Sequence, residues 1–253
     1  MDLASALELG DRELVSFVGA GGKKTSMGSL TDQATGIYRV GYTTTTHMPP
    51  PEAYPIVIEG TAEIEAGIEA AVTPSKPIAF AQERVTNPQR VDAKVKGFDP
   101  ETIDSIYDSG RLDWILVKAD GARMREFKAP GEGEPAIPSA STVVVPVASA
   151  KIIEAELTAE TVHRPERVAE ITGTEMGATL TPERVGQVIA ADTGGLKHVP
   201  SDARVVPIIN KADEEAERRA ARQALESAFE RTDRFDGGLV TSFEADFLEK
   251  LRP

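Results

Sequence analysis

The fold is decided by one stretch near the amino end, Glu13-Leu14-Val15-Ser16-Phe17-Val18-Gly19-Ala20-Gly21-Gly22-Lys23-Lys24-Thr25. Its first six residues are mostly apolar and predict a strand, and a helix is expected over residues 24–34. The small residues between them let the backbone approach a phosphate closely. Successive N–H groups and the helix N-terminus would then face that anion. The stretch therefore predicts a phosphate-binding loop between a strand and a helix.

The two lysines after the glycines leave two registers open for this loop. In one, Lys23 reaches the β- and γ-phosphates and Lys24 is an additional cation; in the other, Lys24 and Thr25 form the Lys-Thr pair. We favour Lys23 because it follows the glycines directly, and Thr25 then offers a hydroxyl to Mg²⁺. The alternative is a glycine-rich turn with solvated lysines. The predicted phosphate-binding residues are Gly19, Ala20, Gly21, Gly22, Lys23, Lys24 and Thr25.

Strand-like and helix-like segments alternate along the 253 residues, which is typical of an α/β fold. We predict a P-loop NTPase-like, mainly parallel sheet flanked by helices, in a single domain of residues 1–253. Residues 151–199 are expected to form a small, mostly helical insertion or lobe. The predicted strands are residues 13–18, 38–43, 56–58, 78–80, 114–117, 142–147, 204–209 and 238–241. The predicted helices are residues 24–34, 62–72, 100–109, 213–231 and a short C-terminal helix.

An acid follows the buried-type strand at residues 114–117. P-loop proteins place such an acid where it holds Mg²⁺ or its water, and parallel sheets bind ligands at the carboxyl ends of their strands. Asp120 is therefore predicted to bind the metal together with Thr25. The alternative is a plain Asp-Gly turn. Arg123, Arg125 and Lys128 follow closely and form either a cationic pocket or a solvated loop, and Arg123 is the predicted phosphate contact.

A base-recognition motif follows the strand at residues 204–209. Asn210-Lys211-Ala212-Asp213 matches N-K-x-D, in which the carboxylate accepts hydrogen bonds from N1–H and the 2-amino group of guanine. Adenine offers no such pair of donors. The motif predicts that Asn210, Lys211 and Asp213 bind GTP in preference to ATP. The alternative assigns Asp213 to capping the helix that follows.

Hydroxyl groups and a histidine end the second predicted strand. Thr45 and Thr46 are expected to face the γ-phosphate, Mg²⁺ or the attacking water, and His47 to serve in proton transfer or substrate binding. The alternative is a strand end with an exposed histidine. Lys23, Asp120 and His47 are thus the predicted catalytic residues.

Composition excludes several classes of partner. The formal net charge of -13 disfavours binding to a nucleic-acid backbone, and the absence of cysteine with only three histidines disfavours a soft-metal site. No apolar run approaches the ~20 residues of a membrane span. Met1-Asp2-Leu3-Ala4 lacks the basic-then-apolar order of a signal peptide, so we expect a cytoplasmic protein. An anionic ligand would need a local cluster of cations.

These motifs together resemble the YqeC family, described as accessory proteins for selenium-dependent molybdenum hydroxylases. The resemblance implies a role in maturing a selenium-containing molybdenum cofactor or its enzyme. Two residues depart from the family pattern: Lys24 stands where threonine is usual, and Lys118 where an acid is usual. The matching stretches are residues 16–23, 43–47, 119–122, 128–130, 162–166, 195–197 and 210–213.

Three activities are compatible with these motifs. The first is an NTP-hydrolysing maturation factor in which hydrolysis switches a partner-binding surface. The second is a transferase that joins a nucleotide or phosphoryl group to a cofactor. The third is a non-catalytic chaperone that binds a nucleotide or cofactor, which the two lysine departures favour.

Overall fold

A mainly parallel β-sheet forms the centre of the protein in the computed structural model, which describes residues 2–85 and 94–253. The strands of this part of the chain are β1 (Glu13–Gly19), β2 (Val40–Thr44), β3 (His47–Met48), β4 (Ile56–Ile58), β5 (Ile78–Ala81), β6 (Glu83–Val85), β7 (Lys94–Lys96), β8 (Trp114–Lys118), β9 (Phe127–Lys128), β10 (Val143–Ser149), β11 (Val162–His163), β12 (Arg204–Val205), β13 (Ile208–Asn210), β14 (Gly238–Ser242) and β15 (Phe247–Leu251). The helices are α1 (Leu3–Ala6), α2 (Lys23–Ala34), α3 (Ile64–Ala71), α4 (Pro100–Asp108), α5 (Pro165–Thr172), α6 (Pro182–Ala190) and α7 (Glu215–Phe229).

The order of the central sheet is β15-β14-β13-β10-β1-β8-β2-β5-β4, with β12 also beside β10. Its neighbouring strands are parallel except at the β14–β15 edge. Strand β1 lies in the middle, where Val15 pairs with Val143 of β10 and with Leu116 of β8. Because β1 is buried on both faces, its sequence is almost continuously apolar.

Helices cover both faces of this sheet. Val15 and Phe17 of β1 point to the face that packs against α1 and α2, whereas Leu14 and Val18 point to the face covered by α3 and α4. On that second face, α5, α6 and α7 pack over β10, β13 and β14. Helix α6 approaches α7 so closely that a Cβ at Gly186 would lie 2.4 Å from a backbone oxygen of the partner helix. The insertion at residues 151–199 thus shares its core with the main sheet.

The α/β prediction with a mainly parallel sheet is confirmed, and two of the predicted elements differ. The short C-terminal helix is wrong, since Phe247–Leu251 forms β15 and pairs antiparallel with the exposed edge of β14. The predicted strand at residues 204–209 is divided into β12 and β13 around Pro207, which has no N–H to donate to a ladder. Part of the mixed segment at residues 55–100 lies outside the described residues. Within the described ranges, no helix combines the length and apolar character needed to cross a membrane.

Candidate functional site

The carboxyl ends of five adjacent parallel strands meet at one edge of the sheet. In spatial order these strands are β8, β1, β10, β13 and β14. Ligands of open α/β sheets bind at this edge. The polar residues and glycines brought there are Gly19, Asp120, Ser149, Asn210 and Ser242.

Glycine is required at the turn between β1 and α2. Gly19 and Gly21 have φ values of 85°, and Gly22 has a φ of 147°, all in the region that favours glycine. A Cβ at Gly19 would lie 2.2 Å from the carbonyl oxygen of Val147, and one at Gly22 would lie 2.2 Å from Asn210 Nδ2. The turn is therefore pressed against the ends of β10 and β13.

The same turn leaves backbone donors unused. Neither Gly21 nor Gly22 has a hydrogen-bond partner for its N–H among residues 2–85 and 94–253. Gly22 is the N-cap of α2 and supplies no side chain to cap it. Because the first N–H groups of a helix have no partner within it, adjacent donors face outward from this point. Such a row of donors suits an anion.

Lys23, Asp120 and Lys128 form a buried cluster beneath this turn. The Nζ of Lys23 lies 2.7 Å from Asp120 Oδ1 and also donates to the carbonyl of Gly19. Asp120 Oδ2 accepts from the Gly19 N–H at 2.9 Å and lies 3.0 Å from Lys128 Nζ. Burial acts to raise the pKa of Asp120, but the two ammonium groups outweigh it and lower that pKa.

Lys118, at the end of β8, is a third buried lysine next to this cluster. Its Nζ donates to the hydroxyl of Thr46 at 2.9 Å and to the carbonyl of His47 at 3.1 Å, and both acceptors are uncharged. It makes no ion pair with any carboxylate of the described chain. Burial, followed by repulsion from Lys23, lowers the pKa of Lys118 to about 7. A buried lysine without a carboxylate partner in the described chain thus lies beside the glycine turn.

Glu134 connects this cluster to the insertion. Its carboxylate lies 2.8 Å from Lys128 Nζ and 2.7 Å from a guanidinium nitrogen of Arg164, the residue that precedes α5. Burial acts to raise the pKa of Glu134, but the hydrogen bonds from Arg164 and Lys128 outweigh it and lower the pKa to about 2. The ionised form of Glu134 therefore stabilises the folded protein.

We expect Glu134→Gln to lower the free energy of unfolding at pH 7 by about 1–2 kcal/mol, a value reduced for the solvent screening of a half-buried pair. Because the folded pKa of Glu134 is depressed, its contribution is present above its unfolded pKa and is lost as pH falls through about 2. Urea unfolding at several pH values below 7 should show the difference from wild type shrinking below about pH 4.5. Glu132→Gln, at an exposed neighbour, is the control. Equal stability of Glu134→Gln and wild type at pH 7 would contradict this assignment.

Asn210 connects the glycine turn to β14. Its Nδ2 donates to the carbonyl of Gly21 at 3.2 Å, and its Oδ1 accepts from the hydroxyl of Thr241 at 3.1 Å. Three residues later, Asp213 Oδ1 accepts from the hydroxyl of Ser242 at 2.6 Å. The N-K-x-D motif thus stands beside the predicted phosphate loop and is tied to the last two residues of β14.

The interpretation of Asp213 as a helix cap is wrong. Glu214 is the N-cap of α7, and the carboxylate of Glu217 accepts from the N–H groups of both Asp213 and Glu214. The Asp213 carboxylate instead lies 2.9 Å from Lys151 Nζ through Oδ2, the oxygen that Ser242 does not contact. Hydrogen bonds from Ser242 and then Lys151 lower its pKa, so it is an ionised acceptor at neutral pH.

The loop between Asp120 and β9 runs from the buried lysine cluster to the N-K-x-D motif. At its end, Glu126 pairs with Lys211 Nζ at 2.6 Å, and Lys211 itself has a left-handed φ of 61°. At its tip, Arg123 is exposed and has a left-handed φ of 46°. Arg123 therefore lies on the rim of the site, outside the buried cluster.

Several predicted residues point away from the buried cluster. Lys24 and Thr25 are exposed and line an outer groove with Tyr42, Tyr54 and Phe243. This arrangement separates Thr25 from Asp120, its expected partner in a metal site.

The threonines before β3 have structural partners. The hydroxyl of Thr45 donates to the carbonyl of Ala136 at 2.7 Å, and Thr46 accepts from Lys118. The imidazole of His47 is exposed, and only its carbonyl contacts Lys118. Thr46 and His47 therefore contact Lys118, which lies next to the buried cluster.

A divalent cation does not fit Asp120 in this arrangement. One carboxylate oxygen contacts the ammonium of Lys23, outside hydrogen-bonding geometry, and the other contacts Lys128. Elsewhere in the described chain, no group of three or more His, Asp or Glu side chains could hold a metal ion. The surplus of ammonium groups at this edge suits an anion.

Comparisons with known proteins show the family of this chain. The family model described as YqeC protein matches residues 15–166, which include the glycine turn, Lys118, Asp120 and Lys128. The chain belongs to the YqeC family. An Escherichia coli (strain K12) protein described as uncharacterized protein YqeC is 36% identical over 214 residues, covering 82% of this chain and 80% of the relative. Asn210 and Asp213 lie beyond the residues that the family model matches.

Sequence reasoning missed the partners that hold the site together. Arg164 lies in one of the family-like stretches but was given no role, Glu134 lies in none of them, and the two residues meet only after the chain folds. Lys151, the partner of Asp213, likewise had no local signal. Lys128 was noted as a nearby cation, and its contact with Asp120 depends on the turn of the loop between them.

Proposed function

We propose that this chain binds a purine nucleoside triphosphate, with GTP preferred to ATP, at the carboxyl edge of its sheet. The observation that carries the proposal is the hydrogen bond from Asn210 to the carbonyl of Gly21, because it joins the phosphate loop to the base-recognition motif. A nucleotide has its base and its phosphates at opposite ends. Two adjacent loops that suit those two ends therefore support nucleotide binding better than either loop alone.

Unused backbone N–H groups and an excess of positive charge support phosphate binding at the glycine turn. The N–H groups of Gly21 and Gly22 are unused within the described chain, and the ammonium of Lys23 lies beneath them. Backbone donors at a helix N-terminus favour anions, and charge-assisted hydrogen bonds are the stronger ones. On binding, the Lys23 ammonium would exchange Asp120 for a phosphate oxygen.

Asp213 is the residue that we propose recognises the base. An ionised carboxylate has about four acceptor positions, and Ser242 and Lys151 use two of them. The remaining positions can accept from N1–H and the 2-amino group of guanine. Adenine presents no such pair of donors, so this carboxylate favours GTP.

The biological role that we propose follows from the family. As an accessory protein, the chain would act on a selenium-dependent molybdenum hydroxylase or on its cofactor, with the nucleotide controlling that action. A non-catalytic nucleotide-binding chaperone is favoured over a rapid NTPase by one observation: both oxygens of Asp120 contact ammonium groups. His47, the predicted proton-transfer residue, is exposed and makes no side-chain contact with this cluster.

Competition binding tests this proposal. A fluorescent GTP analogue bound to the full chain should be displaced by GTP at least about tenfold more effectively than by ATP, which lacks the donor pair for Asp213. Phosphate release measured in the same samples separates an NTPase from a binding protein. Failure of both nucleotides to compete at millimolar concentration would contradict the proposed function.

A further inference from the structure

Resting on the proposed nucleotide site, we infer that Lys23, Lys118 and Lys128 together neutralise the polyphosphate, so that the chain binds its nucleoside triphosphate without a divalent cation. The sequence predicts a metal at Asp120, but the carboxylate of Asp120 contacts two lysines instead. This difference points to the inference. A Mg²⁺ ion normally offsets phosphate charge in such sites. Here the side chains of two buried lysines contact Asp120, and a third buried lysine, Lys118, lies beside them.

Three buried lysines share one fully buried carboxylate in this cluster. The relative exposures of Lys23, Lys118 and Lys128 are 6%, 8% and 4%. One fully buried carboxylate, Asp120, faces them, since Glu134 is only partly buried and is shared with Arg164. A buried charge without a counterion is costly, and a bound anion would remove that cost. The cluster therefore favours an anion with as much charge as possible.

A metal ion bound to Asp120 would have ammonium groups as its neighbours. Once Lys23 turns to a phosphate oxygen, an ion at Asp120 Oδ1 would still lie close to Lys128, which is 3.0 Å from Oδ2, and to the Lys23 ammonium itself. Lys128 is itself held by the carbonyl of Gly121 at 2.7 Å and by Glu134. Repulsion between a divalent ion and such neighbours disfavours the metal.

Thr25, whose hydroxyl is expected from the sequence to bind the metal, points away from Asp120. Residues advance by about 100° around a helix, so Lys23 and Thr25 lie on nearly opposite sides of α2. Lys23 is buried against Asp120, and Thr25 is exposed in the outer groove. The hydroxyl and the carboxylate therefore do not face a common ligand.

Two sets of titrations test this inference on the full chain. Wild type is titrated with GTP by calorimetry in EDTA and in excess Mg²⁺, and the affinity in EDTA should equal or exceed that in Mg²⁺, because free GTP carries more negative charge than its magnesium complex. Lys118→Met should weaken binding about tenfold in both buffers, as expected for loss of one buried charge contact. Lys76→Met, at an exposed lysine far from the site, is the matched control and should change affinity less than about twofold.

Each outcome decides a different claim. An affinity for GTP that is measurably lower in EDTA than in Mg²⁺ would overturn the inference and leave the nucleotide function intact. Absence of GTP binding in both buffers would overturn the proposed function instead. Unchanged affinity in a folded Lys118→Met, with folding checked by thermal melting, would remove Lys118 from the phosphate site. If that variant does not fold, the wild-type comparison of the two buffers still decides the inference.

Discussion

Lys23→Met is expected to weaken GTP binding by about a hundredfold, or about 2.7 kcal/mol. The variant removes the ammonium group beneath the N–H groups of Gly21 and Gly22, which have no partner among residues 2–85 and 94–253, and charge-assisted contacts to phosphate are among the strongest that a binding site makes. Asp120 keeps Lys128 and the Gly19 N–H as partners, so the fold should survive. Calorimetric titration with GTP measures the effect, and thermal melting checks the fold.

Lys24→Met is the matched control for Lys23→Met. Lys24 is the next residue along the chain, it carries the same charge, and it is exposed in the outer groove. We expect it to weaken GTP binding by less than about threefold, the size of an exposed charge contact. A larger loss with Lys24→Met than with Lys23→Met would show that the loop uses the other register, with Lys24 and Thr25 on the phosphates.

Asp213→Asn is expected to exchange the base preference of the site. Its amide would offer a donor where the carboxylate accepts from the 2-amino group of guanine. Xanthine has a carbonyl at that position, so xanthosine triphosphate should become the preferred ligand, with GTP weakened by about a hundredfold. Competition between the two nucleotides in wild type and variant measures this exchange.

Asp192→Asn makes the same chemical change at an exposed position and controls for the loss of charge. It should leave the preference for GTP unchanged. If Asp213→Asn also kept the wild-type preference, the guanine assignment would fall, while the phosphate assignment would stand on Lys23 and the glycine turn.

Local patterns sufficed where short-range chemistry decides the structure. The apolar run of β1 followed by glycines predicted the strand, the turn and the helix, because left-handed backbone and close approach to β10 require glycine there. Asp120 and Asn210 were located in the same way, each at the carboxyl end of a buried strand. Parallel strands then bring those ends together without further information.

Tertiary contacts decided what the sequence could not. Whether Asp120 meets a metal or two ammonium groups depends on how Lys128 returns from the next loop. The C-terminal segment has no strong helical or strand pattern of its own, and the unpaired edge of β14 determines that it forms β15. Lys118 was noted in the sequence where an acid was expected, but its lack of a carboxylate partner within residues 2–85 and 94–253 depends on the fold.

A crystal structure of the chain with GTP bound is the most direct test of the phosphate loop. We predict that phosphate oxygens accept hydrogen bonds from the N–H groups of Gly21 and Gly22, and that Lys23 Nζ turns from Asp120 toward them. GTP bound elsewhere on the protein, or a glycine turn left empty at saturating GTP, would contradict the account.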